Sequence, residues 1–129
     1  MIEGVELESL DDKTLLPYIE RFNGNIRVKQ GNFVLAIEHY NKALLNLQTI
    51  FEKYEDSMDR QQAMLLVLEV EGPCRLNLAH CFNKTGKYFH AVKYCQKVLE
   101  NDPTNCKALY RRGNAYTSLG EVKRAKDDF

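Results

Sequence analysis

Apolar residues recur every three to four positions through most of this chain, which is the spacing of one face of an α-helix. The clearest run comprises Phe33, Ala36, Ile37, Tyr40, Ala43, Leu44 and Leu47. The alternating stretch Val5 to Glu8 resembles a strand, but it is too short to form one alone. The pattern therefore predicts an all-α fold.

Turn and capping residues divide the helical runs. The first helix is predicted to begin near Asp11 or Asp12, and Pro17 marks either its true start or a kink. Glycine in Gln30-Gly31-Asn32 predicts a turn between two helices. A second turn is predicted at Thr85-Gly86-Lys87, and residues 101–105 close the following helix.

The same landmarks return along the chain. Ala79-His80 and Gly113-Asn114 lie 34 residues apart, and Gly24-Asn25 holds the same position before a 21-residue insertion. A 34-residue period with small residues at fixed offsets is typical of tetratricopeptide repeats, which are helix–turn–helix units that stack into a superhelix. The predicted domain covers residues 13–129. It divides into repeat one at about 17–50, a helical insertion at 51–71, repeat two at 72–105 and a truncated repeat three at 106–129.

The insertion and the chain ends depart from this period. Residues 51–71 are interpreted as extensions of the flanking helices, with a break near residues 56–59 and a kink or break at Gly72-Pro73. Residues 1–12 form either a disordered tail or the end of a preceding domain. Because repeat three stops at Phe129, the chain is expected to be a fragment or an incomplete superhelix.

Composition narrows the class of protein. The 18 basic and 18 acidic residues cancel, so net charge gives no reason to expect nucleic acid or membrane as partner. No signal peptide or membrane-spanning run is apparent. The four cysteines form no Cys-x-x-Cys pair, so neither a metal nor a cofactor is predicted, and a reducing cytoplasm is favoured. Aromatic residues, including Tyr88, Tyr110 and Tyr116, are expected to pack between helices.

Two strings extend the likeness beyond the repeat itself. Residues 107–113, Lys-Ala-Leu-Tyr-Arg-Arg-Gly, and residues 125–129, Ala-Lys-Asp-Asp-Phe, together with the insertion, resemble the repeat domain of large FKBP-type immunophilins. In that family a prolyl isomerase domain accompanies the repeats, and this chain contains none. The resemblance implies a co-chaperone module without enzyme activity of its own.

The family also implies a binding site, the carboxylate clamp, which binds the acidic C-terminus of a heat-shock protein 90 or 70 chaperone. Its pattern is matched by Arg21, Asn25, Asn77, Lys107 and Arg111. The departure is Arg21, where the family has Lys, because a planar guanidinium differs in geometry from a compact ammonium. His80, Lys84 and Asn114 are expected as additional groove contacts.

Helix geometry supports this assignment independently. Arg21/Asn25 and Lys107/Arg111 are each four residues apart, so each pair lies on one helix face. Such a set suits a C-terminal residue that carries two carboxylates. The alternatives are that these are ordinary solvated charges, or that the module is a scaffold that binds another segment or itself through the apolar residues Met64 to Leu68. His80 is either a ligand contact and pH-sensitive group or a simple wall residue.

Overall fold

The computed structural model describes residues 10–56 and 58–120, together with residues 124 and 128. These residues form six α-helices and one π-helical segment, and none of them lies in a β-strand. The helices are α1 (Leu10–Lys29), α2 (Phe33–Lys53), α3 (Arg60–Leu66), α4 (Gly72–Lys84), α5 (Tyr88–Asn101) and α6 (Cys106–Ser118), with the π-helical segment Val67–Glu71 before α4. The predicted all-α fold is confirmed.

The first helix begins at Leu10, close to the predicted start. Pro17 lies inside α1 and is fully buried, so it does not mark the start of the helix. Of the predicted tail at residues 1–12, residues 1–9 lie outside the described part of the chain. The predicted second helix of repeat three, over residues 121–129, also lies outside them except at Arg124 and Asp128, which are both helical.

Glycine turns close the first helix of each pair. Gly31 and Gly86 adopt φ values of 75° and 77°, a conformation that residues with a Cβ rarely adopt. The Asn32 N–H donates to Arg27 O at 2.8 Å and the Gly31 N–H to Val28 O at 2.9 Å, so both orphan carbonyls at the helix end are satisfied. Asn32 then caps α2 by accepting from the Leu35 N–H.

The insertion begins as predicted and ends differently. The break between α2 and α3 falls at residues 54–59, and Asp59 caps α3 in a reciprocal arrangement with Gln62. Of the predicted kink or break at Gly72-Pro73, the break does not occur, because helix continues from Arg60 to Lys84. A π-helical turn precedes Pro73 instead, and in it the Gly72 N–H donates to Val67 O.

The helices pack as consecutive neighbours. Helix α1 packs on α2, α2 on α4, α4 on α5, and α6 on both α5 and α4. The main core is formed by buried side chains of α2 and α4, including Tyr40, Leu47, Cys74, Leu78 and Cys81. This order places the inner faces of α1, α4 and α6 side by side. Through the part of the chain that the structure describes, no helix combines the length and apolar character needed to cross a lipid bilayer.

An ion pair attaches the end of the described chain to α6. Arg112 donates two hydrogen bonds to the Asp128 carboxylate, at 2.7 and 2.8 Å, and Asp128 is almost completely buried. The carboxylate holds the pKa of Arg112 above its ordinary value. Asp128 is therefore held against α6 by charge-assisted hydrogen bonds.

Candidate functional site

Helices α4 and α6 enclose a groove of about 600 Å³, here called the cationic groove. Lys107 and Arg111 line it from α6 because they are four residues apart on one face of that helix. The remaining predicted contacts, His80, Lys84 and Asn114, line the same groove. None of the described residues that line it is Asp or Glu, so an anion entering it meets only favourable charge.

Arg111 is held in this groove by backbone contacts. Its guanidinium donates to Leu76 O at 2.9 Å, and the Asn83 amide donates to Arg111 O at 3.0 Å. Burial lowers the pKa of Arg111, although it remains charged at any working pH. Because Leu76 directly precedes Asn77, the bond brings Arg111 next to the asparagine from repeat two.

A second concavity, the asparagine cavity, measures about 380 Å³ and shares no lining residue with the cationic groove. Asn25 from α1 and Asn77 from α4 both line it, with Phe22 and Ile26 beside them. The Asn77 amide donates to Asn25 Oδ1 at 3.3 Å, and the Tyr40 hydroxyl donates to the same oxygen at 2.6 Å. The predicted asparagines from repeats one and two are therefore in direct contact.

Arg21 lies on the Tyr40 side of this network. Its guanidinium carbon is 5.9 Å from the centre of the Tyr18 ring, and its charge acts on Tyr40 and on Cys74. The Nε atom of Arg21 is buried and has no hydrogen-bond partner among the described residues. Arg21 thus faces inward, in the same direction as Asn25.

The predicted residues fall into two adjacent groups rather than one cavity. Arg21, Asn25 and Asn77 surround the Tyr40 hydroxyl, whereas Lys107 and Arg111 line the cationic groove. The groups are joined at Arg111, which bonds to the residue before Asn77 and interacts electrostatically with Tyr40.

His80 lies between the cations of the groove. Burial, followed by the charges of Arg111 and Lys84, lowers its pKa from the ordinary value of 6.5. Its ring meets Phe33 of α2 edge to face, with the ring centroids 5.8 Å apart. The imidazole is therefore mostly neutral near pH 7 and borders the groove at its α2 side.

Sequence reasoning missed three residues of this region. Tyr40 was assigned to the apolar stripe of α2, but its hydroxyl contacts both Asn25 and Asn77. Gly24 was read only as a repeat landmark. A Cβ there would lie 2.6 Å from the Tyr40 ring, so this position leaves no room for a larger residue. Tyr110 was expected to pack between helices, but it is 61% exposed and lines the cationic groove.

The cysteines behave as packing residues. Cys74, Cys81 and Cys95 are fully buried, and burial raises the pKa of the Cys74 and Cys95 thiols to about 12. They are therefore neutral thiols at physiological pH. Among the residues that the structure describes, no three His, Cys, Asp or Glu side chains are grouped so as to hold a metal ion.

Comparison with known proteins agrees with this architecture. Models of the tetratricopeptide repeat family match residues 73–105 and 94–127. The C-terminal tetratricopeptide-containing domain of a Plasmodium falciparum FK506-binding protein is 31% identical, with a TM-score of 0.78. That likeness covers 93% of this chain and 76% of the solved one.

Two further likenesses extend the comparison. The peptidyl-prolyl cis-trans isomerase FKBP42 of Arabidopsis thaliana is 32% identical over 84% of this chain. The chain spans 29% of FKBP42 and between 16% and 27% of four other curated relatives that it matches. The isomerase domain of FKBP42 lies outside the aligned region, so the alignment assigns no enzyme activity to this chain.

The second likeness is to the second tetratricopeptide domain of Spaghetti, solved with an HSP90 peptide of sequence SRMEEVD. It is 27% identical, has a TM-score of 0.66, and covers 95% of this chain and 93% of the solved one. The predicted tetratricopeptide fold is confirmed by these matches and by the helix order.

Proposed function

This chain belongs to the tetratricopeptide repeat domains of FK506-binding proteins, and from that membership we propose that it binds the acidic C-terminal tail of a heat-shock chaperone. The tail is of the Glu-Glu-Val-Asp type found in heat-shock protein 90 and 70 chaperones. The proposed site is the carboxylate clamp formed by Arg21, Asn25, Asn77, Lys107 and Arg111, with His80, Lys84 and Asn114 as additional contacts.

The observation that carries this proposal is the charge of the cationic groove. Lys107, Arg111 and Lys84 line it, and none of the described lining residues is acidic. A C-terminal Asp carries two carboxylates on one residue, and each accepts charge-assisted hydrogen bonds from such cations. Most tails offer one terminal carboxylate, so the groove favours a tail that ends in an acidic residue.

The asparagine cavity supplies a different kind of donor. The side-chain amides of Asn25 and Asn77 are neutral and half-buried at the junction with Arg111. They are suited to a carboxylate placed between the two groups, with the cations on one side and the amides on the other. The similarity to a domain solved with an HSP90 peptide supports an HSP90 tail as the ligand.

The test is binding of a fluorescent Met-Glu-Glu-Val-Asp peptide with a free or an amidated C-terminus. The free acid is expected to bind, and amidation is expected to weaken binding at least about tenfold because it removes a charged acceptor. Lys107→Ala should weaken binding of the free-acid peptide by a similar factor. The matched control is Lys93→Ala, an exposed lysine of α5 that does not line the groove.

Equal affinity for the two peptides would contradict the clamp, whatever the effect of Lys107→Ala. A loss of affinity in Lys93→Ala as large as in Lys107→Ala would show attraction by net charge instead of a defined site. Circular dichroism spectra of both variants check that helicity is retained.

The same family membership supports a place in a larger protein. In FKBP42 and similar relatives the matching segment is a minor part of a peptidyl-prolyl isomerase. The proposed role of this chain is therefore to recruit such an isomerase to the chaperone. The complete coding sequence would test this, because an isomerase domain should be encoded with these repeats.

A second candidate function is self-association through the α3 surface. Met64, Leu65 and Leu68 are 56%, 47% and 65% exposed, and they form an apolar patch that repeat stacking leaves uncovered. Light scattering over a concentration series would show a dimer that Leu65→Asp disrupts. The control is Leu45→Asp on α2, since Leu45 is similarly exposed but lies outside the patch.

A further inference from the structure

We propose that Tyr40 is a positioning residue of the clamp, and that its buried hydroxyl orients the Asn25 amide with Nδ2 toward the ligand carboxylate. The inference rests on the proposed function, since it concerns how Asn25 presents a donor to that ligand. Tyr40 borders the asparagine cavity, but its side chain is fully buried, so in this arrangement it acts on the ligand through Asn25 and not by direct contact.

The contacts commit the oxygen of Asn25. Tyr40 is 0% exposed, and its hydroxyl donates to Asn25 Oδ1 at 2.6 Å. Asn77 Nδ2 donates to the same oxygen at 3.3 Å. Both acceptor sites of the amide oxygen are therefore used within the protein. Asn25 Nδ2 has no hydrogen-bond partner among the described residues, and it remains available to a ligand in the cavity.

Amide orientation decides the sign of the interaction with a carboxylate. The oxygen and nitrogen of an asparagine side chain are nearly equal in size, so packing does not distinguish the two orientations and hydrogen bonding does. A reversed amide would place Nδ2 against the Asn77 donor and would present Oδ1 to the ligand. Two acceptors would then face each other, and the contact would become repulsive.

The position of the Tyr40 ring is closely constrained. An added Cβ on Gly24 would lie 2.6 Å from Cε1 of the ring, so the ring packs directly on the α1 backbone beside Asn25. Burial raises the pKa of Tyr40 well above its ordinary value of 10.0, so the phenol keeps its proton. The hydroxyl is thus protonated and can donate to Asn25 Oδ1, and the packing of the ring holds it at one place relative to Asn25.

The experiment compares Tyr40→Phe with wild type against the free-acid and amidated Met-Glu-Glu-Val-Asp peptides. The variant keeps the ring and removes only the hydroxyl. It is expected to bind the free acid about tenfold more weakly, the size of one lost charge-assisted contact. The affinity of the variant for the amidated peptide should stay within about twofold of the wild-type affinity, a change too small to represent a lost contact. Tyr94→Phe is the control, because Tyr94 lies on α5 and lines neither cavity.

A double-mutant cycle separates positioning from general destabilisation. If Tyr40 acts through Asn25, then Tyr40→Phe should weaken binding by less than about twofold once Asn25→Ala is present. Additive losses of the two substitutions would overturn the inference. So would wild-type affinity of Tyr40→Phe for the free acid.

Asn25→Asp gives an answer even if Tyr40→Phe folds poorly. The aspartate retains an oxygen for the Tyr40 hydroxyl but replaces the Nδ2 donor with a charged acceptor, so free-acid binding should be lost while the fold persists. Retained binding would show that Nδ2 does not face the ligand. These outcomes differ from failure of the proposed function, in which wild type itself would bind the free acid and the amide equally.

Discussion

The two ends of the proposed clamp are organised differently. At the α1 end, Asn25 and Asn77 are neutral donors joined to each other and to a fully buried tyrosine. At the α6 end, Lys107 and Arg111 are cations that face an open groove, and Lys107 is exposed. The first end is organised by core packing, while the second is organised by helix spacing and charge.

This difference separates two contributions to recognition. Exposed cations attract an acidic tail over distance and are screened by salt. The half-buried amides of Asn25 and Asn77 act only at contact, and their hydrogen bonds within the protein orient them before the ligand arrives. Mutations at the α6 end should therefore change affinity with little effect on the fold, whereas mutations beneath the α1 end should change both.

The largest expected effect is that of Arg111→Ala, where the two ends meet. The substitution removes the guanidinium that is proposed to bind the peptide carboxylate, together with its hydrogen bond to Leu76 O. The affinity for the free-acid peptide should therefore fall about a hundredfold. Isothermal titration calorimetry measures the affinity. Arg75→Ala is the control, because Arg75 of α4 pairs with Glu71 of the π-helical segment and does not line the groove. Equal losses in both variants would refute a special role for Arg111.

Gly24→Ala probes the packed end. The new methyl group would meet the Tyr40 ring at 2.6 Å, so the free energy of unfolding should fall by about 2 kcal/mol, with a loss of peptide affinity as Tyr40 and Asn25 shift. Gly72→Ala is a matched control, because its Cβ would meet only Val67 O at an ordinary 3.6 Å. That substitution should leave stability unchanged or raise it by about 0.5 kcal/mol. Urea denaturation compares the two, and equal effects would show that the Tyr40 contact is not tight.

Protonation of His80 is expected to make both stability and peptide affinity depend on pH. Its pKa is lowered in the free protein, so the unfolded chain binds more protons than the native chain as His80 titrates. The contribution of neutral His80 to the free energy of unfolding is fully present above pH 6.5, the ordinary pKa of histidine, and is lost as the pH falls below that value. The carboxylates of a bound peptide favour the protonated imidazole and so raise the pKa of His80. Peptide affinity should therefore rise about threefold between pH 7 and 5.5, as His80 takes up a proton.

His80→Gln should flatten both profiles, measured by urea denaturation and fluorescence polarisation. His90→Gln is the control, because His90 contacts Phe82 and does not line the cationic groove. An unchanged pH dependence in His80→Gln would exclude His80 as its source.

The smallest expected effect on binding is that of Arg21→Lys. The substitution keeps the charge and removes the buried Nε donor that has no partner among the described residues. Peptide affinity should remain within about threefold, while the free energy of unfolding should rise by about 1 kcal/mol because an unsatisfied buried group is lost. Thermal melting and peptide titration measure the two quantities. A tenfold loss of affinity would show that the guanidinium shape is required.

Much of the fold was predictable because its signals are local. The turn at Gly31, the cap at Asn32 and the apolar stripe of α2 each depend on residues within one or two helical turns. At Gly72-Pro73 a kink or break was predicted, and the break does not occur because packing as well as local signals decides the outcome. A proline disfavours the ordinary helical bond pattern, but the π-helical turn supported by packing on α2 accommodates it without ending the helix.

The candidate site was predictable in part. The pairs Arg21/Asn25 and Lys107/Arg111 were assigned from family resemblance and spacing, and the structure directs each pair inward. The division into two concavities was not predictable, because it depends on how closely α1, α4 and α6 approach one another. Tyr110 likewise fits the apolar pattern of a packing residue, but the packing of α4 against α6 leaves it at the groove.

The amino-acid sequence by itself determined the helices, their turns and the charged faces of α1 and α6, because these follow from residue type and spacing along one helix. Tertiary structure alone decided that Tyr40 lies under Asn25 and that Asn25 meets Asn77. The two asparagines are 52 residues apart in the chain. Contacts over such separations depend on the packing of whole helices, and no local pattern encodes which buried hydroxyl will meet which amide.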